Sequence, residues 1–372
     1  MEIKVWGNEL KGAIEKAEKV MAKKADVEIL ENVLLTAYDD KITLTANNLM
    51  SCISININGS VIEPGAATLH KSDLRLIKRC EGELSITEEN KTVTVAGIRK
   101  LEFIQDHEAD DFPESMQVID GNKAFTINAE EFKSALKIKK MASKEDARPQ
   151  LNSLNIRGNR IMALDGYRLG LINLNIDNKH NGDLMIPLDT IEQLDRIITK
   201  RDRYNLEFTY NLKSADGNQI LFLSITGEDW ELTTRVKQGE YMDIEGIIPQ
   251  NHAIVTTIDS KALLDTLKFM KEIKDNNILT IDVTQDEITT TKANQSQKIT
   301  ENHNSQNNTW SLNKDSYKIA CNDRYLQDTL TTMGQDEVIM KFGERNVNPI
   351  IVTDKDNTEL YLVLPVRITE DA

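Results

Sequence analysis

Ile127-Asn-Ala-Glu-Glu-Phe-Lys-Ser-Ala-Leu136 opens as the apolar end of a strand, passes through a polar capping residue and continues with apolar positions at helical spacing. Val5-Trp-Gly-Asn-Glu-Leu-Lys-Gly-Ala-Ile14 and Ile258-Asp-Ser-Lys-Ala-Leu-Leu-Asp-Thr-Leu267 follow the same pattern. Repetition of this kind is read before any single motif, because it sets the number of folding units. Alternating strands on either side of a polar turn come after the helices, at 33–38 with 42–45 and at 278–283 with 288–291, which is a hairpin signal. A fainter copy lies in the second half of each unit: Leu69–Ile77, Ile186–Leu194 and Ala320–Leu330 each run from a strand end through a capping residue into a short amphipathic helix. The chain therefore reads as α+β, six helix-plus-hairpin modules in three tandem domains at 1–123, 124–253 and 254–372. Connectors at 106–113 and 245–249 fall near the two junctions, and the Asn/Gln/Thr-rich stretch 289–308 reads as a solvated edge hairpin and loop.

Composition agrees with several cores. The 372 residues are 40% hydrophobic and 28% charged, ordinary for globular chains and too long for one domain. No long apolar run or basic leader is seen, and Cys52, Cys80 and Cys321 stand far apart, so a reduced, cytoplasmic chain with no membrane span, cysteine metal site or cofactor is expected. The formal charge of −15 argues against a uniformly basic nucleic-acid surface. Positive charge is nevertheless concentrated in the helical segments, while the rest of the chain is strongly acidic. For any one helix, lysine is simply a good helix former at a solvated position. The informative quantity is the contrast between helices and the remainder.

Together with this organisation, Glu28–Leu35, the Asp-Gly-Tyr-Arg-Leu turn within Ala163–Leu169, Gly246–Pro249 and the terminal Leu362-Val-Leu-Pro-Val-Arg367 resemble the bacterial sliding clamps, the beta subunits of DNA polymerase III. The resemblance spans essentially the whole chain and implies a clamp fold forming half of a ring. It further implies a non-catalytic processivity factor that encircles double-stranded DNA as a head-to-tail homodimer, in the bacterial cytoplasm at the nucleoid. Such a ring needs phosphate attraction without base contacts, which basic inner helices and an acidic exterior would supply. Implied partners are the replicative polymerase alpha subunit, the clamp loader, and repair polymerases and mismatch-repair or ligase-type factors carrying short hydrophobic motifs.

By matching position, the resemblance implies a partner-peptide pocket of Leu151, Leu164, Gly166, Tyr167, Arg168, Leu169, Met242, Ile247, Val347, Pro349, Leu362, Leu364, Pro365, Val366 and Arg367. DNA contacts are expected at Lys24, Lys71, Lys78, Lys137, Lys140, Lys144 and Arg148, and a dimer interface at Leu101, Phe103 and Ile273. Asp165-Gly166 alone would be no more than a tight-turn signal. An aromatic, a cation and an aliphatic directly after it go beyond what a turn requires.

Several positions depart from the family pattern: Met242 replaces a pocket proline, Val27-Glu-Ile-Leu30 lacks a turn-fixing proline, and Ile368–Ala372 extends the usual end as an acidic tail. The second helix of the middle domain has no basic surplus. These differences suggest a diverged clamp; the alternative is a scaffold of a mobile element or second gene copy that serves replication or repair proteins but not the main replicase. An enzyme is disfavoured, since His70, His107, His180, His252 and His303 are isolated and no nucleotide or nucleophile motif is present. His107 among acidic residues reads as a solvated connector and no metal site is expected.

Overall fold

The computed structural model describes residues 1–372 except 23, 25, 119–120, 146–147, 213–219, 275–276 and 368–372, so the acidic extension Ile368–Ala372 lies outside the described residues. The six helices are α1 (Gly7–Val20), α2 (Lys71–Ile77), α3 (Ala129–Ala135), α4 (Leu188–Ile197), α5 (Ser260–Met270) and α6 (Asp323–Met333). Each follows a strand or turn end, at the module positions expected from the repeat. The chain packs as two compact units: Met1–Ser134 with Ile176–Asn181 and Asp189–Gln238, and Ala135–Asn175 with Gly182–Leu188 and the chain from Gly239 on.

In the first unit an antiparallel sheet runs in the order Gly59–Glu63, Glu2–Trp6, Glu83–Glu89, Thr92–Ala96, Lys100–Ile104. A second sheet of eight strands joins Asn122–Asn128, Asn205–Leu212, Ile220–Thr226 and Trp230–Arg235 to Ser51–Ile57, Lys41–Asn47, Asn32–Tyr38 and Gly65–His70. The hairpin at 32–47 is closed by Asp39 and Asp40, both at positive φ (51° and 59°), the two-residue turn whose twist matches that of its strands. Helix α1 turns Leu10, Ala13, Ile14, Ala17 and Val20 inward, the spacing of a single buried stripe.

The second unit carries a sheet of twelve strands. Its centre pairs Arg168–Asn173 with Glu359–Val363, register Leu169↔Leu362. Ile278–Thr284 buries Leu279, Ile281 and Val283, as period-two alternation demands, and each such side chain contributes about 1.5–3 kcal/mol relative to exposure.

The polar stretch 289–308 departs from expectation. A hairpin is present, but the second arm is a strand of 13 residues, Lys298–Trp310, where a loop was expected. Residues 298–304 pair with Glu287–Ala293, and the strand then continues alongside Ile254–Asp259. Cross-strand side-chain bonds, Thr290 with His303 and Thr289 with Asn302, both at 3.0 Å, hold this pairing where apolar residues do so elsewhere.

Candidate functional site

The Asp165-Gly166-Tyr167 turn links strands Arg160–Leu164 and Arg168–Asn173. Asp165 Oδ1 accepts the Tyr167 and Arg168 main-chain N–H groups at 2.9 and 3.1 Å, an Asx turn that explains the aspartate. Gly166 lies at φ +96°, a conformation that disfavours any side chain. The turn lifts Tyr167 into solvent, 61% exposed, where its ring stacks on Tyr325 of α6 with centroids 6.0 Å apart.

Arg168 is turned back beneath this pair. Its Nε donates to Asp165 Oδ2 at 2.9 Å, Nη1 to Asp328 Oδ2 at 2.6 Å and Nη2 to the Lys140 carbonyl at 3.1 Å. The guanidinium carbon lies 4.8 Å from the Tyr325 ring centroid, a cation–π distance. Burial is the main cause that raises the Tyr325 phenol above its ordinary pKa, with Asp165 adding to it.

The C-terminal segment runs beside the turn. Leu364 N–H donates to the Tyr167 carbonyl at 2.9 Å and Val366 N–H to the Ala320 carbonyl at 2.8 Å, with Pro365 bridged to Cys321. Burial pushes the Cys321 thiol beneath it up to about 12, leaving it inert at neutral pH. A cavity of about 440 Å³ is lined by Asn346, Val347, Leu364, Pro365, Val366 and Arg367, within the size range of ligand pockets.

The fifteen sequence-assigned pocket residues thus divide by depth. Leu151, Leu164, Leu169 and Leu362 are buried in one cluster with Met162, Leu171, Met185, Tyr241, Ile244 and Ile351, and support the surface from below. Tyr167, Met242, Ile247, Val347 and Leu364 expose 61, 40, 39, 54 and 38% of their area. Pro349 is half-buried ahead of strand Ile350–Thr353. Tyr325, Asp328 and Asn346 escaped the sequence reading. Tyr325 and Asp328 sit three residues apart on one helix face, but an aromatic there reads equally well as core.

The basic residues also divide. Lys71 is paired with Glu31, Lys78 with Glu18 at 2.7 Å, and Lys137 with Glu359 at 2.5 Å and the Met333 carbonyl. Their charge is compensated within the fold. Lys24, Lys140, Lys144 and Arg148 are exposed and, among the described residues, make no ion pair. At the expected dimer surface, Leu101 and Phe103 are half-buried on the edge strand Lys100–Ile104, beside Ile98 and Ile104 at 88 and 80% exposure. Ile273 is 3% exposed, packed inside its own unit by the turn after α5, while the large apolar side chain exposed on α5 is Phe269 at 63%. His107 also has a structural part, its carbonyl accepting the Thr68 hydroxyl, while Glu108 and Asp111 form a capping box.

This architecture is that of the DNA polymerase sliding clamps. The DNA polymerase III subunit beta of Pseudomonas aeruginosa aligns with a TM-score of 0.88 and 18% identity, and the sliding clamp of Bacillus subtilis with 0.86 and 17%, each over 99% of this chain and 100% of the other. Residues 245–367 match the family model described as DNA polymerase III beta subunit, C-terminal domain. Along its length the chain is 24% identical to the beta sliding clamp of Synechocystis sp. (97% of this chain, 98% of the relative) and 22% identical to that of Chlamydia muridarum (100% of both). Over its whole length the chain is thus similar to bacterial beta sliding clamps, and residues 245–367 match their C-terminal domain.

Proposed function

We propose that this protein is a processivity factor: a head-to-tail homodimer that closes around duplex DNA and tethers the replicative polymerase alpha subunit, the clamp loader and repair factors through the groove between the Tyr167 turn and the C-terminal tail. The observation that carries the tether is the groove itself. Tyr167, Val347 and Leu364 are exposed, and the strands flanking Tyr167 and Leu364 carry the buried apolar cluster of Leu169 and Leu362, so a short peptide with Leu or Phe at its end would gain burial there.

Strand edges support the dimer. The third strands of two hairpin modules pair at each internal junction, Ser51–Ile57 with Trp230–Arg235 and Arg168–Asn173 with Glu359–Val363. The third strands of the two remaining modules, Lys100–Ile104 and the 298–304 half of Lys298–Trp310, each have a neighbour on one side only. Pairing these across two copies would complete the repeat at a boundary between domain 1 of one chain (1–123) and domain 3 of the other (254–372), and would remove two open edges. Lys24, Lys140, Lys144 and Arg148 would supply sequence-independent phosphate contacts in the closed ring. No helix among the described residues is long and apolar enough to cross a membrane, and we place the activity in the bacterial cytoplasm, at the nucleoid.

The test is topological. Loaded onto nicked circular DNA by a bacterial clamp loader, the protein should remain bound through gel filtration and be released when the circle is linearised. Equal release from circles and linear DNA, together with light scattering at 42.1 kDa at micromolar concentration, would refute the ring.

A further inference from the structure

Asp328 and Tyr325 lie on the same face of α6, one turn apart, and both address Arg168. All three guanidinium nitrogens are engaged within the chain, by Asp165, Asp328 and the Lys140 carbonyl. The Arg168 side chain is 12% exposed and Asp165 is 15% exposed, whereas Asp328 is 47% exposed at the rim. Arg168 therefore lies against the Tyr325 ring of the aromatic pair. Its plane is set from one side by the turn that carries Tyr167 and from the other by the helix that carries Tyr325.

We propose that Asp328 is a positioning residue of the groove, holding the Arg168 guanidinium over the Tyr325 ring and thereby fixing the Tyr167–Tyr325 wall against which the apolar end of a partner peptide packs. The inference rests on the groove reading above. Asp165 ties the guanidinium to its own turn and the Lys140 carbonyl holds Nη2, and both contacts would survive if α6 rotated away. Asp328 supplies the only charged link from that guanidinium to α6 among the described residues. Without it, Nη1 turns to water, α6 loses its charged tie to the guanidinium, and the Tyr325 ring gains freedom relative to Arg168 that a binding peptide must then freeze. Because Asp328 is half-exposed, its removal should register in binding more than in stability.

The experiment is calorimetric titration of the full chain with a synthetic acetylated pentapeptide ending in Leu-Phe, using Asp328→Ala, Asp328→Glu, Arg168→Ala, the Arg168→Ala/Asp328→Ala double variant and Tyr167→Ala. Asp328→Ala should weaken binding about three- to tenfold at unchanged Tm and unchanged oligomeric state, and Asp328→Glu should restore most of it. The double variant should bind no more weakly than Arg168→Ala alone, since both act through one guanidinium. Additive losses in the double variant, or a fall in Tm parallel to the loss of binding, would make Asp328 merely structural and overturn the proposal. Undiminished binding by Asp328→Ala beside a clear loss for Tyr167→Ala would overturn it while leaving the groove intact. If Tyr167→Ala itself binds like the parent, the groove assignment falls and the role of Asp328 falls with it.

Discussion

The main-chain N–H of Leu364 donates to the carbonyl of Tyr167 at 2.9 Å, so the two sides of the proposed groove are joined by a backbone bond. Neither side chain is consumed by it, and both stay exposed, at 38 and 61%. As the proposed receptor, this segment would present apolar surface on a main-chain frame that the backbone bond already ties together.

Deleting Leu364–Ala372 should therefore abolish stimulation of a polymerase and binding of a Leu-Phe peptide while leaving the dimer intact, because the proposed interface strands lie elsewhere. Two apolar side chains buried in the groove gain about 1.5–3 kcal/mol each before ordering costs, so loss of one wall should move a micromolar affinity out of measurable range. Removing only Thr369–Ala372 should leave binding equal or stronger. Calorimetry and light scattering on both truncations check this, and undiminished peptide binding by the longer one would place the pocket on another surface.

Lys292 and Asp323 form an ion pair at the start of α6, with 1 and 5% of their side chains exposed. Taking away the Lys292 charge leaves Asp323 buried without this counter-ion, a loss of roughly 3–5 kcal/mol, whereas neutralising both is far milder. Lys292→Met should lower stability in urea by about that amount, and Lys292→Met/Asp323→Asn should recover much of it. Two additive losses would contradict the pairing.

Much of the fold was legible because its information is local. Alternation in Ile278–Val283, capping at Asp259 and Asn322, and the Asp-Gly turn each declare themselves within a few residues. Features requiring a distant partner were not. Arg168 meets Asp328 across 160 residues and Lys137 meets Glu359 across 222, so a cation assigned to the groove surface and another assigned to DNA are both held by carboxylates that no spacing rule could supply. Strand Lys298–Trp310 was obscured for another reason: its alternation is carried by Thr, Asn and His hydrogen bonds, which apolar periodicity does not detect.

The compensation of Lys137 separates two kinds of charge reversal. Lys24→Glu/Arg148→Glu acts on exposed side chains that make no ion pair among the described residues, and should weaken association with duplex DNA without lowering Tm. The dependence of log K on log salt should become shallower by about 0.9 for each phosphate that the variant no longer neutralises. Lys137→Glu would instead oppose a second carboxylate to Glu359, which is 11% exposed, and should cost on the order of 1–3 kcal/mol in folding. Salt-titrated anisotropy and thermal melting of the two variants distinguish them. A fall in Tm confined to the Lys24/Arg148 variant would reverse the assignment.

Acid should weaken the second unit through Asp183. Burial alone would raise this carboxyl, but hydrogen bonds from Arg157, Asn155 and the Tyr241 N–H outweigh it and hold the group below its ordinary value. With the folded pKa below an unfolded value of roughly 3.9, the stabilisation is fully present above that pH and is lost as pH falls through the folded pKa. Asp183→Ala should therefore cost about 1–3 kcal/mol at pH 7, and its stability should converge with that of the parent as pH falls through the depressed folded pKa. Urea melts of both proteins across this range check it. A stability gap that stayed constant from neutral to acid pH would mean that Asp183 contributes packing alone and that its bonds to Arg157 add nothing.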